Sequence, residues 1–470
     1  MTPSASEFAV DDWARLRRFL RLGCESGVYY AKARPPTAQS TPATARCIAA
    51  DGERVVREIV AASHTERTDP AIFALALAAA SPDETTRRAA LGVLPIVCQT
   101  GAQLFRFASF VGQKRGWGRG LRAAVAHWYN EKPVKTLAYQ VVRYPHGDGF
   151  KHRDLLRLCH PDADTYGRQT LYHWITNGWE RIGDAPHDQP DLQIIWAAEK
   201  ARVPGTTAKT VAELIRVYGL PREAVPSGLM SEKAVWEALL ERMTLDDLLH
   251  HLPTLTRVGV LDGRGWCATV AARLTDADAL AGARIHPVAL FAAQTRYALG
   301  RDERGKHRWT PQRKILDALD ESLTELLTTV TPTGKRIALV VNPSAAMATA
   351  RIAELPGMSP RRLADVMRQV VTATEAEVQM LPFGTDFSMV TAEAFLVFTD
   401  AQPPESATVT ANALRDYREK TGTPARLAVV SAAAKGDTIP ATPDDAGILS
   451  VLGFDVHAPK VIADFVRGDI

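Results

Sequence analysis

A switch near residue 331 constrains this chain more than any other feature. Before it, helix signals recur with no strand alternation between them. After it comes the run Lys335-Arg-Ile-Ala-Leu-Val-Val-Asn-Pro-Ser-Ala-Ala-Met347. A branched apolar run ending in small residues reads as a buried strand of a wound α/β sheet, whereas consecutive helices must bury their faces on one another. The chain is therefore expected to be multidomain, with a helical module over residues 1–330 and an α/β domain over 331–470.

Size permits this. The 470 residues, 46% of them hydrophobic, can form more than one core. No apolar run reaches 18 residues, and Met1 to Val10 lacks the charged start and apolar stretch of a secretion signal. A soluble, cytoplasmic protein is expected, with no membrane partner. Cys24, Cys47, Cys98, Cys159 and Cys267 are odd in number and have no CxxC spacing, which argues against a disulfide framework or a zinc cluster.

Within the helical part, Asp69-Pro70 and Ser81-Pro82-Asp83-Glu84 each set a capping side chain before a proline at the expected first helical position. Thr244 with Asp247, and Ser231 before Glu-Lys-Ala-Val-Trp236, mark further starts. Ala71 to Ala80 and Leu91 to Cys98 are apolar all round, as in helices packed on more than one side. Stacked helical pairs of the HEAT type follow from this element pattern, without a strict sequence period.

Net charge is +3. Residues 331–470 carry 13 Lys/Arg and 16 Asp/Glu, leaving 43 against 37 for the helical part. Clustering matters more than this modest excess. Trp13 to Arg21 holds four arginines. Lys114-Arg-Gly-Trp-Gly-Arg-Gly-Leu-Arg122 places Lys114, Arg115, Arg119 and Arg122 around Trp117, a pattern suited to single-stranded nucleic acid through phosphate pairing and base stacking. An ordinary loop with a buried Trp is the equal alternative. The sharpest stretch is Arg143 to His160. On a helix beginning near His152, Arg153, Arg157 and His160 recur at i, i+4 and i+7 over a leucine-anchored face, with Arg143 and Lys151 nearby. If Asp154 pairs with a neighbouring arginine, the stripe is merely a solvated face. The basic run Arg296 to Lys314 reads as the end of the helical array.

At these residues the chain resembles the Ro autoantigen ribonucleoproteins and their bacterial relatives, built from a TROVE module and a von Willebrand factor A-like domain. The matching strings include Leu16-Arg-Arg-Phe-Leu20, Gly27-Val-Tyr-Tyr30, Trp117-Gly-Arg-Gly-Leu-Arg122, Trp128-Tyr-Asn-Glu-Lys132, Asp154-Leu-Leu-Arg-Leu-Cys-His160, Ala283-Arg-Ile-His-Pro287, Phe398-Thr-Asp400 and Gly453-Phe-Asp455. They span essentially the whole chain. The resemblance implies a closed ring of HEAT-like repeats whose ends are joined by the A-like domain. It also implies small noncoding Y RNA on the basic outer surface, 3′ ends of misfolded RNAs in the central hole, and an exoribonuclease as a candidate partner. By it the chain is an RNA quality-control protein, neither an enzyme nor a DNA-binding protein. Family contacts to Y RNA include a lysine, an arginine and a histidine. Arg143 stands in the lysine's place and His160 in the histidine's; Gly147 falls where the arginine would be, leaving His146, Lys151 or Arg153 to compensate. Arg119 and Arg122 are assigned to the single-strand path from their chemistry alone.

Strands are expected at 336–341, 376–383, 395–398, 425–430 and 448–452, with helices from Ser359-Pro360 to about Thr374 and from Thr410 to before Gly422. The pattern predicts a doubly wound, mostly parallel sheet with ligands outside the strands' carboxyl ends. In A-like domains a loop of form Asp-x-Ser-x-Ser, a Thr and a later Asp hold a hard cation such as Mg²⁺. Here the loop reads Asn342, Pro343, Ser344, Ala345 and Ala346, with Asp400 remaining. The segment between Phe383 and Phe395 is short for this fold, and Thr385 is a poor stand-in for the missing threonine. The loss of a carboxylate and a hydroxyl predicts weak or absent metal binding. Two other classes compete with RNA binding. A protein-interaction scaffold is the stronger, since solenoids and A-like domains both bind proteins. An enzyme is the weaker, because no nucleophile–base pair, phosphate loop or intact metal cluster stands out.

Overall fold

The computed structural model describes residues 8–65, 67–179, 188–400, 404–434 and 445–470. Packing divides the chain into two compact units, Thr44–Met243 and a unit formed by Met1–Ala43 with Thr244–Ile470. Packing units and sequence modules are different divisions of a chain. Residues 244–330 pack in the same unit as the sheet, so the 330/331 boundary remains a proposal about modules.

The Thr44–Met243 unit is built from paired helices. Asp69–Ala79 packs on Gly101–Gly112 and on Glu84–Gly92, and Ala208–Tyr218 packs on Lys233–Leu240. Asp69–Ala79 buries nine of its eleven residues, which is why it shows no amphipathic stripe. Two helix starts differ from expectation. Thr68 is the first cap, with Asp69 already helical and ion-paired to Arg106 at 2.8 Å. Asp83, not Ser81, caps the next helix, its carboxylate accepting from the Thr86 N–H at 2.7 Å. Pro70 is thus the second helical residue and not the first, and Pro82 lies outside its helix, just before the cap.

The other unit centres on a six-stranded, wholly parallel sheet. Apart from β2 (His146–Gly147) and β3 (Phe150–Lys151), an antiparallel pair in the Thr44–Met243 unit, the strands are β1 (Val28–Tyr30), β4 (Ile337–Val341), β5 (Val378–Leu381), β6 (Ala394–Thr399), β7 (Arg426–Ser431) and β8 (Ile448–Leu452), in the sheet order β1-β8-β7-β6-β4-β5. All five expected strands form. β1 is additional: three N-terminal residues complete the sheet edge beside β8, with Tyr29 opposite Val451.

Alternate strand residues face two apolar layers. Leu339, Leu396, Ala428 and Leu449 join Leu363, Met367 and Ile462, while Val340, Phe395, Val397 and Leu427 join Leu414 and Tyr417. Both faces are covered by helices, as a doubly wound sheet requires. The helix Pro360–Thr374 begins as expected, its cap Ser359 accepting from Arg362 N–H at 3.3 Å. The helix expected from Thr410 begins earlier, at Pro404.

Candidate nucleic-acid interface

The segment Arg143–His160 is a helix end, a hairpin and a short helix. Val134–Arg143 ends at Arg143, which is half-buried, lies 5.3 Å over the Tyr144 ring and comes within 3.9 Å of the Glu223 carboxylate. β2 and β3 reverse through Asp148 and Gly149, at φ 49° and 85°. Two positive-φ residues make the two-residue turn whose twist suits a hairpin, and this turn requires glycine most at its second position. Arg106 holds the turn by its 2.9 Å ion pair with Asp148. The register sets His146 opposite Lys151, so these exposed side chains share one face.

β3 leads directly into His152–Cys159. Asp154 accepts from the Lys151 backbone N–H at 2.9 Å, so it caps the helix instead of neutralising an arginine. Leu155, Leu156 and Cys159 are buried, whereas Arg153 and Arg157 are exposed and form no ion pair among the described residues. His160 departs from the helical-stripe expectation. The helix stops at Cys159, and His160 takes the left-handed conformation at φ 45° and ψ 61°. Its side chain is exposed beside the stripe, not on it. The buried anchor is His152, whose Nδ1 lies 2.8 Å from the Tyr129 hydroxyl and whose ring packs 4.7 Å from Phe105. Burial pushes its pKa down to about 3, so it is neutral at physiological pH.

The Lys114–Arg122 stretch divides. Arg115 donates to the Ala79 carbonyl at 2.7 Å, satisfying the end of Asp69–Ala79. Lys114 is exposed, with its ammonium 5.8 Å from the Phe73 ring centre. Arg119 and Arg122 are exposed on the first turn of Arg119–Glu131. Trp117 is half-buried and packs 6.3 Å from Phe150, and Trp128 and Tyr129 are fully buried core. In the other unit, Arg18 of the Trp13–Arg21 stretch is buried and donates to the Asp445 carbonyl at 2.8 Å, so that stretch is partly structural.

Two features have no signal in the sequence. A cavity of about 340 Å³ opens beside Lys151 and Arg153, lined also by Trp174 and Asn177. Buried Arg168 donates to the Tyr129 and Lys132 carbonyls at 2.7 and 3.1 Å, closing the end of Arg119–Glu131. Both depend on tertiary contacts from Tyr166–Asn177 that no local spacing announces.

At the carboxyl ends of β4 and β6, Asn342, Ser344, Thr399 and Asp400 converge. Asn342 Nδ2 donates to Thr399 Oγ1 at 3.1 Å, the Ser344 N–H donates to Asn342 Oδ1 at 2.9 Å, and Ser344 Oγ donates to Asp400 Oδ1 at 3.3 Å. The short 383–395 connection contains one 3₁₀ turn, Phe387–Met389, seated by Phe387 stacked on Phe395 at 4.2 Å. A hard dication needs several oxygens and carboxylate charge. Here one carboxylate remains, and the asparagine's acceptor is engaged by the loop's own Ser344 N–H and its donor by Thr399 at the end of β6. These residues do not fit Mg²⁺.

Comparison with known proteins bears on the whole chain. The TROVE domain model matches residues 3–189 and 220–298, and the Ro60 vWA domain model matches residues 388–466. The "RNA-binding protein RO60" of Deinococcus radiodurans is 32% identical over 98% of this chain and 94% of its own length. The protein of the same name from Caenorhabditis elegans is 27% identical, covering 98% and 89%. The crystal structure of the Deinococcus radiodurans RO (RSR) protein matches with a TM-score of 0.89 at 31% identity, covering 98% of this chain and all of that one. The family expected from the sequence motifs and the α plus α/β fold class are thus both supported over nearly every residue.

Proposed function

Because this chain belongs to the RNA-binding Ro family of TROVE and vWA-domain proteins, we propose that it binds a structured small noncoding RNA of the Y class along the Arg143–His160 surface. The observation that carries the reading is the side-by-side display of His146, Lys151, Arg153, Arg157 and His160. All five are exposed, and they stand on a hairpin and helix fixed by buried Leu155, Leu156 and His152. Rigid cations spaced along a surface gain affinity for a polyanion by releasing its counterions, and need no base contact to do so. Arg143 supports this surface from its edge, partly engaged by Glu223.

By the same reading the protein acts in RNA quality control or processing, taking single-stranded 3′ ends past Lys114, Arg119 and Arg122 and working beside an exoribonuclease. Arg115, tied to the Ala79 carbonyl, contributes through positioning. The test is to purify the native protein from its own cells and sequence the RNA that comes with it. One enriched, folded small RNA supports the proposal. Recovery of protein partners with no RNA above background favours the scaffold reading instead.

A further inference from the structure

The basic run after Arg296 forms something more specific than the end of a helical array. We propose that a phosphate monoester, carried on a nucleotide or at an RNA terminus, binds in a cavity of about 490 Å³ between the helices Leu245–Arg257 and Pro287–Ala298 and the turn Arg301–Arg308. This site lies in the sheet-containing unit, away from the Arg143–His160 surface in sequence, and does not depend on the function proposed above.

The cavity begins with a defect in a helix. Pro253 lies inside Leu245–Arg257 and has no N–H, so the Leu249 carbonyl lacks its helical donor. Arg296 Nη2 supplies one at 3.3 Å and also donates to the His250 carbonyl. The guanidinium is thereby fixed at the cavity wall, with its buried Nε making no hydrogen bond. Burial pushes the Arg296 pKa down, a cost that a bound anion would relieve.

Arg257, Arg301 and Arg304 line the same cavity, are exposed, and form no ion pair among the described residues. Of the two acids there, Asp302 is engaged within the turn, accepting the N–H groups of Lys306 at 2.8 Å and His307 at 3.2 Å. Glu303 is the other. Four guanidiniums against two carboxylates leave a positive site, and guanidinium is the side chain whose donor fork matches phosphate oxygens. Trp309 adds an aromatic wall. Its Nε1 donates to the Tyr297 carbonyl at 2.8 Å, which fixes the indole where a base can stack.

Isothermal titration of the full chain with AMP and, separately, with inorganic phosphate tests this. AMP is expected to bind saturably and more tightly than phosphate, and a 5′-phosphorylated single-stranded RNA more tightly than its 5′-hydroxyl form. Arg257→Ala and Arg304→Ala should each weaken AMP binding by about tenfold, as loss of a charge-assisted hydrogen bond implies. Both side chains are exposed, so unfolding curves should stay unchanged. The Arg153→Ala/Arg157→Ala/His160→Ala variant should keep its AMP affinity, which separates failure here from failure of the RNA surface. No saturable AMP binding at millimolar concentration, or undiminished binding by the two arginine variants, would overturn the site. Equal binding of phosphate and AMP would overturn the nucleotide assignment.

Discussion

The Tyr29 hydroxyl donates to the Asp455 carboxylate at 2.8 Å, joining residues 426 positions apart in sequence. Tyr29 is the centre of β1 and is fully buried, and Asp455 also accepts the Ala458 N–H at 2.9 Å at the start of the last helix. The N-terminal strand is therefore tied to the C-terminal turn, and the sheet is completed from both ends of the chain. Tyr29→Phe should cost roughly 1.5–3 kcal/mol, the range for a hydrogen bond to a charged group. Denaturant unfolding measures it, and a change below a few tenths would remove the bond's structural importance.

Acid should destabilise the fold through buried imidazoles. His152 has its pKa pushed down by burial to about 3, and His286 by burial to about 4. Between those values and the ordinary value near 6.5, the unfolded chain binds protons that the folded chain does not. Stability present above pH 6.5 is therefore lost as pH falls, by about 1.4 kcal/mol per pH unit for each group. His152→Gln should remove one proton from that slope, whatever its effect on stability at pH 7. Denaturant curves at pH 7 and pH 5 read the difference.

The parts of this fold that local chemistry determines are readable from sequence. Branched runs mark five of the six sheet strands, and Ser359-Pro360 marks its helix to the residue. β1 is not readable, because Val28–Tyr30 is three buried residues without alternation and its partner lies at the other end of the chain. At the candidate site, the cationic residues are visible in the sequence while their accessibility is not. Arg115 and Arg18 satisfy carbonyls, whereas Arg153 and Arg157 stand free of carboxylates because Asp154 is occupied as a cap. Helical spacing misplaces His160, because its left-handed backbone has no glycine to announce it. The shared place of His250 and His251 in the wall of the Arg296 cavity is invisible in sequence for the same tertiary reason.

Mg²⁺ should have no role in the wild-type protein. Titration calorimetry with Mg²⁺ is expected to give no saturable heat, and chelation should leave RNA affinity unchanged. Asn342→Asp restores a second carboxylate beside Asp400 and Ser344 and should produce measurable binding. Saturable binding by the wild type would contradict the reading of this loop.

Exposed basic side chains between Arg143 and His160 are proposed to hold RNA by its phosphates. The most direct test is affinity for the co-purifying RNA, measured across a salt series for the wild type and for Arg153→Ala/Arg157→Ala/His160→Ala. The wild-type logarithm of affinity should fall linearly with the logarithm of salt concentration. The variant should bind more weakly with a slope shallower by about two, near one unit for each arginine that no longer neutralises a phosphate. Equal affinity and equal slope for the two proteins would mean that the RNA does not lie on this surface.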